Sequence, residues 1–189
     1  MRDSVGLGGG GHTAVSTGKA GLSGFLQSHF RCTIPLQRPL FPNARSIMFE
    51  RYTEKARRVV FFARSEASQF GSPFIDTECL LLGIVRESAD MITSVAGPNA
   101  IETIKDRIRQ QHPIGNKFST SVDLPFSEEA KQVLISAQEE ADQLKSRVIT
   151  SKHILIGLLR EENCLAQRIL SQLGATIEGT RHYQDHSAD

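Results

Sequence analysis

The chain contains an internal duplication, and this feature constrains its fold more than any other. Shifting the sequence by 74 residues places residues 52–87 on residues 126–161 without a gap. A repeated segment of this length is one supersecondary unit, and such a unit is too small to bury its apolar face alone. We therefore expect two copies of a helical unit that pack with pseudo-twofold symmetry. The first-copy residues that recur unchanged are Glu54, Ala56, Val59, Ala63, Glu66, Ala67, Gln69, Ser72, Ile75, Leu81, Gly83, Arg86 and Glu87.

The apolar spacing within each copy predicts helices and no strand. The first helix of repeat 1 has the spacing of one helix face at Ala56, Val59, Val60, Ala63, Ala67 and Phe70. Its counterpart in repeat 2 is predicted to bury Ala130, Val133, Leu134, Ala137, Ala141 and Leu144, with Glu139, Glu140, Asp142 and Lys145 on its other faces. Cap residues are expected at Thr53, Thr77, Ser88, Ser127, Ser151 and Asn163. The sequence thus predicts an all-α domain in which two four-helix repeats pack as one body.

Composition divides the chain into five segments. They are an N-terminal extension (1–47), repeat 1 (48–110), a linker (111–125), repeat 2 (126–181) and a C-terminal tail (182–189). The extension is glycine-rich with a formal charge of +4, whereas residues 48–189 carry −3. Gly-rich polar segments bury too little apolar surface to offset the entropy of ordering, so we expect disorder there.

Three interpretations of the extension stay open. It is a flexible tail, a basic and acid-poor transit peptide, or a stretch that is not made in the cell because Met48 directly precedes repeat 1. No Arg-rich amphipathic helix is evident in residues 1–47, which favours the first and third interpretations over targeting.

The sequence offers no catalytic, cofactor or metal motif. It lacks G-x-x-x-x-G-K-[ST], G-x-S-x-G, H-E-x-x-H and C-x-x-C, so we predict no ATP site, no enzyme activity and no metal. The mildly acidic body does not favour nucleic-acid binding, and no apolar run is long enough to span a membrane. Cys79 and Cys164 have no identifiable general base and are predicted to be buried small hydrophobes. His182 and His186 stand in a tail that we expect to fray.

Two kinds of string carry a resemblance to a known family. Repeat 1 opens with RYTEKARRV, and both repeats contain a leucine-rich string ending in Arg-Glu, LLLGIVRE and ILIGLLRE. Together they resemble the N-terminal double-repeat domain of Clp-type AAA+ unfoldases, closest to the ClpC type. The resemblance covers residues 48–181. No ATPase module follows in this sequence, so the chain resembles a stand-alone double-repeat protein, as found in some bacteria and, as ClpT-type subunits, in plastids.

The resemblance implies a ligand as well as a fold. ClpC-type domains bind phosphorylated arginine with a Thr at the start of the first helix of a repeat and the Glu of a T-E-H triplet. Here repeat 1 offers Thr53 and Glu78, and we expect these two residues to form the candidate site. Repeat 2 offers Ser127, but its triplet has Lys152 in place of the carboxylate, which would repel a guanidinium. Cys79 replaces the histidine of the triplet in repeat 1, and plain helix capping explains Thr53 equally well.

The resemblance further implies a non-enzymatic binding role. We expect the chain to modulate or feed a Clp chaperone–protease by binding Clp subunits or their adaptors and substrates. The alternatives are a ClpT-like structural subunit of the protease and a small helical hydrolase. We expect a bacterial cytoplasmic location, or a plastid location if residues 1–47 are a transit peptide.

Overall fold

The computed structural model describes residues 49–112, 115 and 123–184. The expectations for residues 1–47, and those for most of the linker and for the end of the tail including His186, therefore lie outside the described residues. The described part is all-α, as the sequence predicts: it contains eight helices and no strand. The helices are α1 Glu54–Phe70, α2 Thr77–Glu87, α3 Ala89–Ala96, α4 Ala100–Gln111, α5 Glu128–Gln143, α6 Ser151–Arg160, α7 Leu165–Gln172 and α8 Ile177–His182.

Each repeat is built on a tight antiparallel hairpin, α1 with α2 and α5 with α6. The hairpins are tight because α2 and α6 each present a glycine to the backbone of the preceding helix. A β-carbon on Gly83 would lie 2.3 Å from the carbonyl oxygen of Val59, and one on Gly157 would lie 2.3 Å from that of Val133. The two contacts are equivalent under the 74-residue shift. The buried alanines of α1 and α5 belong to the same close approach.

The two repeats share one core, whose centre is formed by α2 and α6. These helices are almost wholly buried, and they contact each other across the interface between the repeats. Neither helix could bury its apolar sides within its own repeat, which is why the duplication folds as one body. The largest fully buried side chains include residues from both of them: Leu80, Leu81, Ile84, Ile154, Leu155, Ile156 and Leu158.

Two short extended segments cross between the repeats and repeat the pseudo-symmetry at the level of the backbone. Tyr52 of repeat 1 forms an isolated parallel bridge with Ile149 of repeat 2, and Ile75 of repeat 1 forms one with Phe126 of repeat 2. Under the 74-residue shift Tyr52 corresponds to Phe126 and Ile75 to Ile149. Each repeat therefore pairs the segment before its first helix with the segment before the second helix of the other repeat.

Three of the predicted caps differ from the structure by one residue. Asp76, Thr150 and Cys164 occupy the N-cap positions where Thr77, Ser151 and Asn163 are expected. Thr77 and Ser151 are instead the first residues of their helices, and both are buried. Thr53 and Ser127 are N-caps as predicted, and each hydroxyl accepts a hydrogen bond from the backbone amide three residues further on, at Ala56 and Ala130.

Two predictions for α5 are wrong. Leu144, expected on the buried face, is exposed because the helix ends at Gln143 and the chain turns away. Glu140, expected on an outer face, is completely buried. Helix α8 packs on α6 and brings the guanidinium of Arg181 over Glu140, with Nε 2.6 Å from Oε1 and Nη2 3.0 Å from Oε2. Arg160 also forms an ion pair with this carboxylate.

Candidate functional site

The two residues expected to form one site lie at opposite ends of the first hairpin. Thr53 precedes α1, whereas Glu78 lies in the first turn of α2, and α2 runs back along α1. A helix of 17 residues is about 25 Å long, so the length of α1 separates the two side chains. The structure therefore does not bring Thr53 and Glu78 together.

The crossed backbone pairing places Thr53 and Glu78 each beside a helix start of the other repeat. The amide of Thr53 donates to the carbonyl oxygen of Ile149 at 3.0 Å, which places Thr53 beside the start of α6. The amide of Ser127 donates to the carbonyl oxygen of Ile75 at 3.1 Å, which places Ser127 beside the start of α2. We call these regions the Thr53 corner (Thr53 with residues 149–153) and the Ser127 corner (Ser127 with residues 75–79).

The Ser127 corner combines a hydroxyl-capped helix with a carboxylate. The side chain of Glu78 is 12% exposed. Its Oε2 accepts a hydrogen bond from the hydroxyl of Thr77 at 3.0 Å, and its Oε1 lies 3.9 Å from Nε2 of His112 at the end of α4. The start of α5 supplies the Ser127 cap and the amides of a helix N-terminus, of which that of Ala130 donates to the Ser127 hydroxyl. This corner can in principle hold a ligand with one cationic and one anionic group.

The Thr53 corner has the opposite electrostatics. Lys152 stands where Glu78 stands in the first repeat, and its Nζ donates to the carbonyl oxygens of Arg181 and Tyr183, both at 3.4 Å. It therefore neutralises the C-terminal end of α8, where a cation is favourable. The lysine has a structural role here, and this corner lacks a carboxylate for a guanidinium.

His153 stabilises the start of α6 in the Thr53 corner. Its Nδ1 accepts a hydrogen bond from the amide of Thr150 at 3.0 Å, so the neutral ring carries its proton on Nε2. Burial lowers the pKa of His153 below its usual value, and the positive charge of Lys152 lowers it further. The imidazole is thus held in its neutral form, which suits a capping residue and not a surface ligand.

Both described cysteines are buried, as the sequence predicts. Burial raises the pKa of Cys79 to about 12 and also raises the pKa of Cys164. Because the thiolate is the reactive form, neither side chain is activated as a nucleophile. Cys164 has a capping role that the sequence did not indicate: its Sγ accepts from the amide of Gln167 at 3.4 Å and donates to the carbonyl oxygen of Glu161 at 3.2 Å.

Exposed apolar side chains recur at equivalent positions of the two repeats. Phe61 on α1 and Ile135 on α5 correspond under the 74-residue shift, as do Phe74 and Val148 in the loops before α2 and α6, and all four are exposed. A pair of large apolar side chains that stays in solvent in both repeats is not needed for the core. A position that stays apolar and exposed in both repeats is a candidate for contact with another protein.

Phe61 lines a groove of about 560 Å³ between α1 and the chain that enters α5. The volume is in the usual range for ligand pockets. The walls are mostly apolar, and basic side chains stand among them. The lining residues are Phe49, Arg57, Val60, Phe61, Arg64, Ile75, Asp123, Leu124, Pro125, Phe126 and Lys131.

Comparison with known proteins places these features in a family. Residues 125–186 match the profile of the Clp repeat (R) N-terminal domain. The chain is 41% identical over 129 residues to the chloroplastic chaperone protein ClpC of Pisum sativum, a match that covers 68% of this chain and 14% of the relative. The N-terminal domain of ClpD from Arabidopsis thaliana superimposes with a TM-score of 0.57 and 29% identity, over 71% of this chain and 92% of that one. The protein belongs to the Clp N-terminal domain family. The Clp profile covers only the second repeat, and the pseudo-symmetric structure extends the assignment to the first.

The other relatives show how much of a Clp protein this chain corresponds to. A chloroplastic ClpA homologue of Solanum lycopersicum, CD4B, is 37% identical over 188 residues, which covers 96% of this chain and 20% of the relative. The chain thus spans at most about a fifth of the length of these relatives. The N-terminal domain of Hsp104 from Candida albicans has a TM-score of 0.56 at 18% identity, which shows the shared fold.

The described part of this Clp N-domain contains no cluster of three His, Cys, Asp or Glu side chains suited to a metal ion. None of its described helices has the length and apolar character needed to cross a membrane. The feature that sequence reasoning missed is the exchange of partners between the repeats. The duplication is the only sign of this exchange in the sequence. It does not decide the exchange, because two related repeats can pair these segments within one repeat or between the two.

Proposed function

We propose that this chain is a non-catalytic protein-binding module that works with a Clp chaperone–protease by receiving adaptors or substrates. The observation that carries this proposal is the recurrence of the exposed pairs Phe61 with Ile135 and Phe74 with Val148 on a Clp N-domain fold. The inert state of Cys79 and Cys164 supports a binding role over a hydrolase.

We also propose a plastid location. The ClpC relative of pea and the tomato relative are both named as chloroplastic. The tomato match covers 96% of this chain, so it extends into residues 1–47, the basic and acid-poor stretch. Import of the labelled precursor into isolated chloroplasts, with removal of an N-terminal segment, is the expected result. Import of residues 48–189 alone with equal efficiency would contradict a targeting role for the extension.

Within this function, we propose that any phosphoarginine site lies at the Ser127 corner. Glu78 supplies the carboxylate for the guanidinium, and the Ser127 cap with the start of α5 supplies donors for the phosphate. Thr53, at the other corner, faces the start of α6, where Lys152 replaces the carboxylate. The expected site residues are therefore Glu78 and Ser127 rather than Glu78 and Thr53.

The experiment that tests the binding role is chemical cross-linking of the tagged chain in a plastid extract without ATP, followed by mass spectrometry. We expect Clp subunits among the cross-linked proteins, and fewer of them when Phe61 and Phe74 are both replaced by serine. Recovery of Clp ATPase subunits, adaptors or substrates supports a receiving role, whereas recovery of protease-ring subunits alone favours a structural, ClpT-like subunit. Recovery of no Clp component would contradict both.

A further inference from the structure

The groove next to Phe61 is lined by equivalent positions of the two copies of the repeated sequence. Its lining contains both members of two equivalent pairs, Phe49 with Asp123 and Arg57 with Lys131. A ligand that lies in the groove therefore contacts both repeats. Ile75 of repeat 1 and Phe126 of repeat 2, which form a backbone bridge with each other, both line the groove, so its walls come from the two repeats together.

The two sides of the groove are not equivalent, which gives it a direction. Repeat 1 contributes Phe49 where the end of the linker contributes Asp123, and it also contributes Phe61 and Arg64 to the lining. The counterparts of Phe61 and Arg64 are Ile135 and Gln138, and neither lines the groove. Repeat 1 thus supplies two aromatic and two cationic side chains, against one of each, Phe126 and Lys131, from repeat 2, so the two ends of a bound segment meet different surroundings.

The charged residues in the lining are mainly basic. Arg57, Arg64 and Lys131 stand against a single acidic residue, Asp123. Arg57 donates to the backbone carbonyl oxygens of Phe49 and Glu50, which holds its guanidinium at the groove edge. Lys131 forms an exposed ion pair with Glu128 in the same helix. Exposed pairs of this kind contribute at most about 1 kcal/mol, so a ligand carboxylate can replace Glu128 at little cost.

We propose that this groove binds an apolar peptide segment bearing carboxylates, supplied by a partner protein. The proposal rests on the protein-binding function above and specifies its ligand: aromatic or aliphatic side chains fill the space beside Phe61, and acidic residues face Arg57, Arg64 and Lys131. Charge argues against residues 1–47 of the same chain as the occupant, because that segment carries +4.

The test uses two fluorescein-labelled synthetic peptides, one alternating Leu and Phe with Asp and the other alternating them with Lys. Fluorescence anisotropy measures their binding to the full chain. We expect the acidic peptide to bind about tenfold more tightly than the basic one, and its affinity to fall as salt is added. Phe61→Ala and Lys131→Glu should each weaken the acidic peptide by about tenfold. Gln138→Ala, at the exposed counterpart of Arg64 outside the groove, is the matched control and should leave binding unchanged.

Other outcomes separate this proposal from the one on which it rests. Equal binding of the two peptides, no binding of either, or equal loss in Phe61→Ala and Gln138→Ala would overturn the groove assignment. Cross-linking to Clp subunits would still support the binding function. Peptide binding at the groove without any Clp cross-link would keep the groove and remove the Clp partnership. Tighter binding by a peptide copied from residues 1–47, or a dimer in sedimentation equilibrium that Phe61→Ala dissociates, would replace the partner segment with the chain itself.

Discussion

Gly83 of α2 lies directly against the carbonyl oxygen of Val59 in α1, and a β-carbon at position 83 would come within 2.3 Å of that oxygen. No side chain can move to relieve this contact, since both groups belong to helix backbones. The distance between α1 and α2 therefore depends on the absence of a β-carbon at position 83. The same relationship between Gly157 and Val133 makes it a property of both repeats.

We predict that Gly83→Ala and Gly157→Ala each destabilise the domain by about 2 kcal/mol or more, because the helices must separate. The result would run against intrinsic propensity, which favours alanine over glycine in a helix by about 1 kcal/mol. Urea unfolding followed by circular dichroism measures the change. Ser94→Ala on the exposed side of α3 is the control and should change stability little. A neutral or stabilising Gly83→Ala would show that the hairpin is more loosely packed than described.

The backbone conformation of Lys145 predicts a substitution to glycine that stabilises the domain. It follows α5 with a φ of 54°, the left-handed conformation that Gly71 adopts with a φ of 71° at the equivalent position after α1. A residue with a β-carbon is disfavoured there, so Lys145→Gly should stabilise the domain by about 1 kcal/mol. Gly71→Lys is the reciprocal change and should destabilise it by a similar amount. Thermal unfolding of both variants at one pH measures the two changes in stability. Changes of the same sign in both variants would contradict strain at Lys145.

His153 predicts a loss of stability in mild acid. Its pKa is lowered in the folded state from the ordinary 6.5, so its contribution is fully present above that pH and is lost as the pH falls below it. Arg51 and Lys152 disfavour the proton, and Glu140 favours it but does not reverse the shift. His153→Gln keeps an acceptor for the amide of Thr150 and should flatten the pH dependence of the unfolding free energy below about 6.5. An unchanged slope in this variant would assign the dependence to another group.

The lowered pKa of Glu140 predicts a second loss of folding stability at lower pH. The hydrogen bonds from Arg181 hold the pKa of this carboxyl below its ordinary 4.5, so its contribution is present above that value and is lost as the pH falls below it. Glu140→Gln should cost about 2 kcal/mol near neutral pH, because two guanidinium groups lose their anion. Glu66→Gln, the counterpart in repeat 1, whose partner Arg86 is half exposed, should cost much less. Equal costs in the two variants would contradict a special role for the buried carboxylate.

The two corners predict different effects on phosphoarginine binding. If the Ser127 corner holds this ligand, Glu78→Gln and Ser127→Ala should each weaken it at least tenfold in calorimetric titration, because each removes a charge-assisted or capping contact. Thr53→Ala, at the other end of the first hairpin, loses a comparable helix cap and serves as the matched control. Binding that depends on Thr53 and not on Ser127 would reverse the assignment, and no saturable binding by the wild type would remove it.

Much of the fold was predictable because helix formation follows local periodicity. The apolar spacing of α1 and the caps Thr53 and Ser127 were identified from the sequence, since each depends on residues within a few positions. The predicted caps at Thr77 and Ser151 were wrong by one position. Adjacent hydroxyl and carboxyl side chains offer several cap choices, and burial of Thr77 and Ser151 decided between them.

Glu140 could not be predicted to be buried, because its main partner, Arg181, is 41 residues away. Its counterpart Glu66 stays partly exposed, although Arg86 and Arg107 occupy the positions of Arg160 and Arg181. The side chain of Arg107 instead bonds to Gln172 on α7. The same three residue types thus form a closed ion cluster in one repeat and not in the other, which only the surrounding helices determine.

The sequence by itself determined that this protein is a doubled helical unit, because periodicity and caps are local properties and the repeat has no gap. Its Clp N-domain type followed from the resemblance of its sequence strings to that family. The sequence also showed that the repeats differ at Glu78 and Lys152. Only the tertiary structure decided which residues share a corner. Tyr52 pairs with Ile149 across 97 residues of sequence, and this crossing places Ser127 beside the start of α2 and Thr53 beside that of α6. Two identical units can bury their common face with or without such a crossing, and the choice depends on long-range packing that no local pattern records.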